Sequence, residues 1–403
     1  MTRIASRWRV RAALIVALML CAAGTANAQS SSSPQSLTDT LSFLLTNQSV
    51  PTGDFTKDAE AARVTRETIT RSLLVELSTL PISTSSPGFV YRFNRDLGTV
   101  ERASETFGAF FAERSMTAGK GQASFGINFR LSSFDRLDGH DLRDGTFVTS
   151  GNRFTDQTTP FDVDRLTLDL DARTVSAFAN YGLTERLDVG VVIPFVSISL
   201  TGSRINTYYG EVLQQARADA QATGFGDVAV RAKYQVLDAP GVGGVAAVAE
   251  VRLPTGDSDN LLGAGESSLR VLGIGSLESG RFGMHVNGGF TVGGLSDEFQ
   301  YRTAASYSAA PRLTLVGELL GRRLSDVGRV SEAVAPHPSF VGVDTIRLVT
   351  LGSSTHTASA VTGAKWNVTG TWLVSGSVSW PLLDRGLRSG AVLQVGLDYA
   401  LPQ

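Results

Sequence analysis

Ser354-Thr-His356 is the nearest approach in this sequence to a nucleophile beside its base. Acyl transfer needs those two groups in hydrogen-bond reach, a third to orient the base, and donors for an oxyanion. Only the first condition is suggested here, so a barrel esterase is the weakest reading carried forward. The other histidines, His140, His285 and His337, stand singly, and an isolated polar histidine is ordinarily a polar contact and no more. Leu253-Pro-Thr-Gly-Asp257, followed by Asp259, Asn260 and Glu266, gathers oxygens of the kind a divalent cation takes. Leu261 interrupts that set where a third acidic residue would fall. A solvated Gly/Asp turn is therefore the better reading, and a cation bridging lipopolysaccharide the lesser. Gly224-Phe-Gly-Asp227 is not followed by a helix that could complete a phosphate cradle and reads as a strand entry. No cofactor, metal site or catalytic set emerges.

Export comes first among the elements that must position such residues. Arg3, Arg7, Arg9 and Arg11 precede an apolar run from Ala12 to Ala23, and Ala26-Asn27-Ala28 offers small residues for cleavage before Gln29. Residues 1–28 thus read as a signal peptide. The run is too short for a stable membrane helix, and Leu20 before Cys21 fits lipoprotein processing badly. Once Cys21 leaves, no disulfide, zinc site or thiol nucleophile is available. The remaining chain has 32 basic residues (36 less the four arginines) against 38 acidic ones, a net charge of −6. That balance argues against nucleic acid as a partner.

After a polar linker at 29–35, residues 36–80 carry a helical period. Leu37, Leu41, Leu44 and Leu45 share one face; Val64, Ile69, Leu73, Leu77 and Leu80 share another. Thr38-Asp39 offers capping chemistry. This preamble, 29–86 in all, either plugs something or docks in the periplasm. From about Gly88 the period becomes two. Val230, Tyr234 and Val236 alternate with Arg231, Lys233 and Gln235. Phe125, Ile127 and Phe129 alternate with Asn128 and Arg130, and Met284, Val286 and Phe290 with His285 and Asn287.

Apolar faces rimmed with aromatics, set against faces bearing charges and amides, fit lipid on one side and a wet lumen on the other. The lumen side then includes Asn128, Arg130, Arg231, Lys233, His285 and Asn287. Further along it carries Glu250, Arg252, Arg270, Arg302, Glu318, Arg322 and Lys365. Such a mixed ladder either braces the wall by pairing or sets a field that selects ions.

Connections alternate in length. Short turns are expected near 183–186, 238–244, 278–281, 309–312 and 369–370, with long links near 134–165, 200–225, 255–266, 325–345 and 381–390, though the link at 293–297 is brief. Outer-membrane barrels are built in that way. Tyr181, Tyr307 and Trp366 each precede a large apolar residue by six positions at a short turn, marking one membrane interface. Even parity requires 343–368 to be one long strand and gives twelve strands from Gly121 to Leu401. Phe89–Asn94 with Glu105–Arg114 would add a hairpin and make fourteen. Residues 208–222 read as a short helix on an outer loop, a constriction or a cap. The fold expected is an all-β transmembrane antiparallel barrel of 12–14 strands, residues 87–403, with a short N-terminal helical segment.

Tyr181-Gly-Leu-Thr-Glu-Arg-Leu-Asp-Val-Gly-Val-Val-Ile-Pro194 and Gly224-Phe-Gly-Asp-Val-Ala-Val-Arg-Ala-Lys-Tyr234 are followed by Leu253-Pro-Thr-Gly-Asp257 and Gly263-Ala-Gly-Glu266. In that order they resemble the outer-membrane "transporter" family labelled with the meta-pathway of phenol degradation. The resemblance implies passive transport of small hydrophobic compounds, aromatics among them, and no catalytic residues. The chain departs from such barrels in ending Tyr399-Ala-Leu-Pro-Gln403 rather than on an aromatic. Expected partners are outer-membrane lipid and lipopolysaccharide, the barrel-assembly machinery and small hydrophobic solutes. The alternative is a structural or adhesion barrel whose lumen is filled by side chains.

Overall fold

The computed structural model describes residues 36–45, 70–71, 75, 88, 91–94, 99–102, 104–239, 242–337 and 339–401. The expected signal peptide and most of the preamble lie outside these residues. Within the preamble, Leu37–Leu45 is an α-helix, α1. Its cap is Ser36, whose Oγ accepts the Asp39 N–H at 3.0 Å, so capping begins two residues before the Thr38-Asp39 pair expected from the sequence.

Among the described residues, β1 (Tyr91–Asn94) and β2 (Thr99–Arg102) pair only with each other. Residues 105–114 are not a strand. The hairpin that would have made fourteen strands therefore does not join the wall. Twelve strands do. They are β3 (Ala123–Leu137), β6 (Asp162–Gly182), β7 (Leu187–Tyr208), β9 (Ala229–Ala239), β10 (Gly243–Arg252) and β11 (Ser268–Ser279). The wall continues with β12 (Phe282–Gly293), β13 (Glu298–Ala310), β14 (Leu313–Ser325), β17 (Ser354–Asn367), β18 (Trp372–Pro381) and β20 (Val392–Ala400). It closes where β20 meets β3, with Leu397 opposite Ile127. Closure leaves the wall no free edge, as a membrane requires.

The long links carry strands of their own. β4 (His140–Asp141) and β5 (Phe147–Phe154) fold back over β3 and β6. β15 (Arg329–Pro336) and β16 (Val343–Leu351) form a hairpin whose second strand pairs with β5, and β19 (Leu387–Ser389) lies on β3. Gly352, at φ +74°, turns the chain between β16 and β17, so 343–368 is two strands, not one. Parity survives because the extra strand is absorbed in the loop hairpin. The expected helix at 208–222 is also a strand, β8 (Glu211–Phe225), paired with the upper half of β7. Alanine, glutamine and arginine are good helix formers, but such propensity is small in energy and tertiary context overrides it. Here the unpaired edge of a 22-residue β7 outweighs that preference. Ala216, Ala218, Ala220 and Ala222 alternate inward and leave room for α1.

Around the belt the exposed side chains are large and apolar, among them Phe125, Val230, Val286, Phe290 and Leu397. Water would not tolerate such a continuous band, whereas lipid does. At the short-turn end the aromatics cluster: Phe282 packs on Tyr307 (4.8 Å) and Trp372 on Tyr399 (4.7 Å), with Tyr181 and Trp366 in the same girdle. Phe195 with Phe225 and Phe290 with Phe299 mark the other rim.

Above that second rim the alternation inverts. On β6 and β7 the outward positions become Asp169, Asp171, Arg173, Ser199 and Thr201, while Leu166, Leu168, Leu170, Ile198 and Leu200 turn inward. The wall here stands in water, and its apolar side chains must find partners inside. Leu37, Leu41, Leu44 and Leu45 of α1 provide them, each at most 2% exposed. Leu44 Cδ1 would lie 2.4 Å from a Cβ at Gly202, so only glycine lets the helix approach β7 so closely. The helix thus lies inside the barrel at its loop end, not at the turn end.

Candidate functional site: a clamped loop in the lumen

Ser104–Ala118 forms a loop that climbs from the turn end to mid-lumen and returns. At its start Ser104 Oγ donates to Glu278 at 2.8 Å, near the foot of β11. At its end the Ala118 N–H reaches Asp188 at 2.8 Å and Thr117 Oγ1 the carbonyl of Glu185 at 2.6 Å, both beside the 183–186 turn. Between them, Phe110 to Glu113 form the apex.

Backbone groups lifted away from water must be satisfied, and the wall satisfies them. The Glu318 carboxylate accepts three consecutive N–H groups, from Phe110, Phe111 (3.0 Å) and Ala112 (2.9 Å). Arg302 donates to the Phe111 carbonyl at 2.7 Å. Lys365 donates to the Ala109 carbonyl at 2.6 Å, with its ammonium 5.1 Å from the Phe110 ring centre. Asn287 and Glu113 exchange a reciprocal pair, 2.6 and 2.8 Å. Arg231 grips the Glu113 carboxylate through both terminal nitrogens, at 2.6 and 3.3 Å, and Lys233 donates to the Met116 carbonyl at 2.6 Å. Inside the loop, Gly108 (φ +71°) leaves 3.0 Å between a notional Cβ and the Arg114 guanidinium, which folds back to the Thr106 and Gly88 carbonyls.

Six of the thirteen residues read as lumen candidates, Arg231, Lys233, Asn287, Arg302, Glu318 and Lys365, thus touch this loop. The other seven are placed by different contacts. His285 hydrogen-bonds Ser276, whose hydroxyl accepts the Ser115 N–H at 2.9 Å, placing the histidine one step behind the clamp. Glu250 and Arg270 pair with each other at 3.0 Å. Arg130 donates to Ser132 at 3.3 Å, Arg252 is buried on the inner face of β10, and Asn128 lies against Gly396. Arg322, the remaining lumen-face cation read from the sequence, stands 3.9 Å from Glu298. The charges were expected to brace the wall or to select ions; half of them hold a segment of the chain itself. Sequence reasoning offered 105–114 only as half of an added wall hairpin, and missed as partners Asp188, Ser276 and Thr314, whose hydroxyl accepts the Phe107 N–H at 3.2 Å. Failed alternation through Phe107-Gly-Ala-Phe-Phe-Ala112 was the one available signal.

Above the apex lies a cavity of about 120 Å³. Phe111 contributes to it from the loop, with Phe134, Leu320 and Leu387 as other apolar lining and Arg130, Arg270, Arg302, Arg322 and Arg388 as its cations.

The remaining motifs are structural. Asp227 accepts the Gly256 and Ala264 N–H groups at 3.0 and 2.7 Å, joining three of the four motifs that carry the family resemblance. Asp257 accepts from Asp259 and Asn260 within its own turn, and that turn in turn holds α1, through Asp259 O with Thr38 (3.1 Å) and Asn260 with Leu37 (3.3 Å). His356 bonds the Tyr301 hydroxyl at 3.0 Å, and Ser354 accepts from Arg323 at 3.3 Å. Nucleophile and base therefore have separate partners on the outer face of β17.

An apolar outer belt between aromatic girdles, a closed twelve-stranded wall and a polar interior define a β-barrel of the outer-membrane type. The family resemblance read from the motifs stands. Residues 149–331 match the family model described as "Putative MetA-pathway of phenol degradation". No curated protein matches the chain. Among solved structures, the COG4313 outer membrane channel from Pseudomonas putida F1 is similar at 13% identity and TM-score 0.45, covering 71% of this chain and 98% of that one. The Ralstonia pickettii toluene transporter TbuX is similar at 11% identity and TM-score 0.29, covering 70% and 90%. Pseudomonas putida OprB is similar at 10% identity and TM-score 0.28, covering 72% and 100%.

Proposed function

We propose that the chain, exported through a signal peptide cleaved after Ala28, is an outer-membrane channel for passive uptake of small hydrophobic compounds, aromatics among them. The clamped loop Ser104–Ala118 carries the reading. A twelve-stranded barrel is wide enough to need filling or water, and here the filling is a backbone segment held by side chains that can let go. A segment held in this way narrows what can pass. The family description, with its reference to phenol degradation, supports the class of permeant. In this reading the long-link end, with α1 beneath it, faces outward, the short turns face the periplasm, lipopolysaccharide surrounds the polar extension, and the barrel-assembly machinery inserts the chain.

A second reading, a structural barrel that conducts nothing, is favoured by the same occupied lumen. Passage of a neutral aromatic such as toluene into protein-loaded liposomes, compared with a sugar, decides between them. Toluene passage above the protein-free rate with sugar excluded supports the channel. Passage of neither above its protein-free rate supports the structural barrel.

A further inference from the structure

On the outside of the barrel, at the rim marked by Phe290 and Phe299, three strands lay one row of side chains across the wall. Phe299 of β13 stands opposite Arg323 of β14, and Arg323 opposite His356 of β17. Tyr301, one outward position lower, reaches over β14 to share a 3.0 Å hydrogen bond with His356. It can do so because Gly321 lies beneath the ring, where any Cβ would collide with it. The link before β19 adds Arg385, and these side chains, with Ser354, line an open recess of about 470 Å³.

The charge of this recess has one sign. Arg323 and Arg385 are both exposed. Arg323 donates to the Ser354 hydroxyl at 3.3 Å, and among the described residues the Arg385 guanidinium makes no hydrogen bond or ion pair. No carboxylate is among the described residues that line it. Asp384, beside Arg385 in the chain, is taken by Arg388 at 2.6 Å, and Asp297, above Phe299, accepts the Gly293 N–H at 3.1 Å. Two guanidiniums on one recess suit an anion between them, and their planar forks match the oxygens of a phosphate. Below the row the surface is apolar. Ala358 and Ala360 follow His356 on the same face of β17. Ala360 stands between Leu319 of β14 and Trp380 of β18, so a small side chain between two large ones leaves a trough leading into the belt. A free phosphate would use the cations alone, whereas an anionic amphiphile at the bilayer rim uses both.

We propose that this recess seats one lipopolysaccharide molecule, with a lipid A phosphate between Arg323 and Arg385 and an acyl chain along Ala358 and Ala360. The proposal rests on the outward orientation of the long-link end given above, since that leaflet carries lipopolysaccharide, and it names where on the wall the lipid is held.

The test is titration of the purified full-length protein in detergent, read by native mass spectrometry. The probes are a short-core lipopolysaccharide, the same lipid stripped of its phosphates, phosphatidylglycerol, and inorganic phosphate. One intact lipopolysaccharide per barrel is expected, held at least about tenfold more tightly than any other probe, the difference one charge-assisted contact confers. Arg323→Gln with Arg385→Gln should weaken it by a similar factor, and Arg323→Lys with Arg385→Lys should restore part of it. An unchanged circular-dichroism spectrum shows that the variants fold. Absent lipopolysaccharide binding, equal binding of any other probe, or binding untouched by the Gln pair overturns the proposal. Reaction of Val341→Cys, at an exposed loop tip, with an impermeant maleimide on intact cells checks the orientation separately. Solute passage without lipopolysaccharide binding defeats only this inference; lipopolysaccharide binding with no solute passage defeats only the channel reading.

Discussion

Arg231 on β9 and Glu113 at the loop apex, 118 residues apart in sequence, form a two-pronged ion pair that is at least 92% shielded from water on both sides. Arg231 also faces Glu250 on the neighbouring strand, but its closest carboxylate is that of Glu113, so the bond ties the lumen segment to the barrel. Removing one partner leaves the other buried without its closest opposite charge, at a cost of up to about 3–5 kcal/mol. Arg231→Met should therefore lower the thermal midpoint clearly, and adding Glu113→Leu should recover most of the loss. A double variant as unstable as the single one would show that the pair acts through something other than its charges.

The register assigns Val230 to lipid. Val230→Arg should cost about 2–4 kcal/mol near the bilayer midplane and reduce assembled barrel in membranes, while Val230→Leu is silent. Ala229 is not a tolerant comparison site, since it is buried against Phe178 and Val192. Equal assembly of the arginine and leucine variants would place β9 one residue out of register.

Much of this wall was legible because alternation is a local property: Val230, Arg231, Tyr234 and Lys233 show their faces to anyone counting by two. What was illegible depends on distant partners. Ala216–Ala222 reads as helix until the exposed edge of β7 claims it. The inversion on β6 and β7 looks like ordinary alternation, because period alone does not say where the bilayer ends. Phe110–Ala112 is fixed through its backbone by Glu318, more than 200 residues away, and a backbone N–H leaves no mark in a sequence. The thirteen lumen-side candidates were found as residue types; what six of them hold was not.

Gly202 admits α1 to the inner face of β7. Gly202→Val would drive a methyl group into Leu44 and Leu168, so the helix should leave its seat while the lower barrel persists. A cysteine at position 45, buried in the unaltered chain, should then react with a water-soluble maleimide several-fold faster. An unchanged rate would mean that the helix adapts around the added side chain.

Glu318 is the strongest single clamp, since each hydrogen bond to a charged acceptor contributes about 1.5–3 kcal/mol. Glu318→Gln offers one acceptor oxygen and sets an amide donor against the three N–H groups. Single channels of this variant in planar bilayers should flicker open at least about tenfold more often. Currents identical to those of the unaltered protein would mean that the loop does not depend on this carboxylate.

The central claim is that Ser104–Ala118 closes the lumen. The most direct measurement is ion conductance across planar bilayers of the full-length protein beside one in which residues 106–116 are replaced by a glycine-serine linker of equal length, which retains α1 and all twelve wall strands from β3 to β20. The account predicts a small or flickering current for the first and a large, steady one for the second. Equal conductance from two barrels of matching circular dichroism would contradict it.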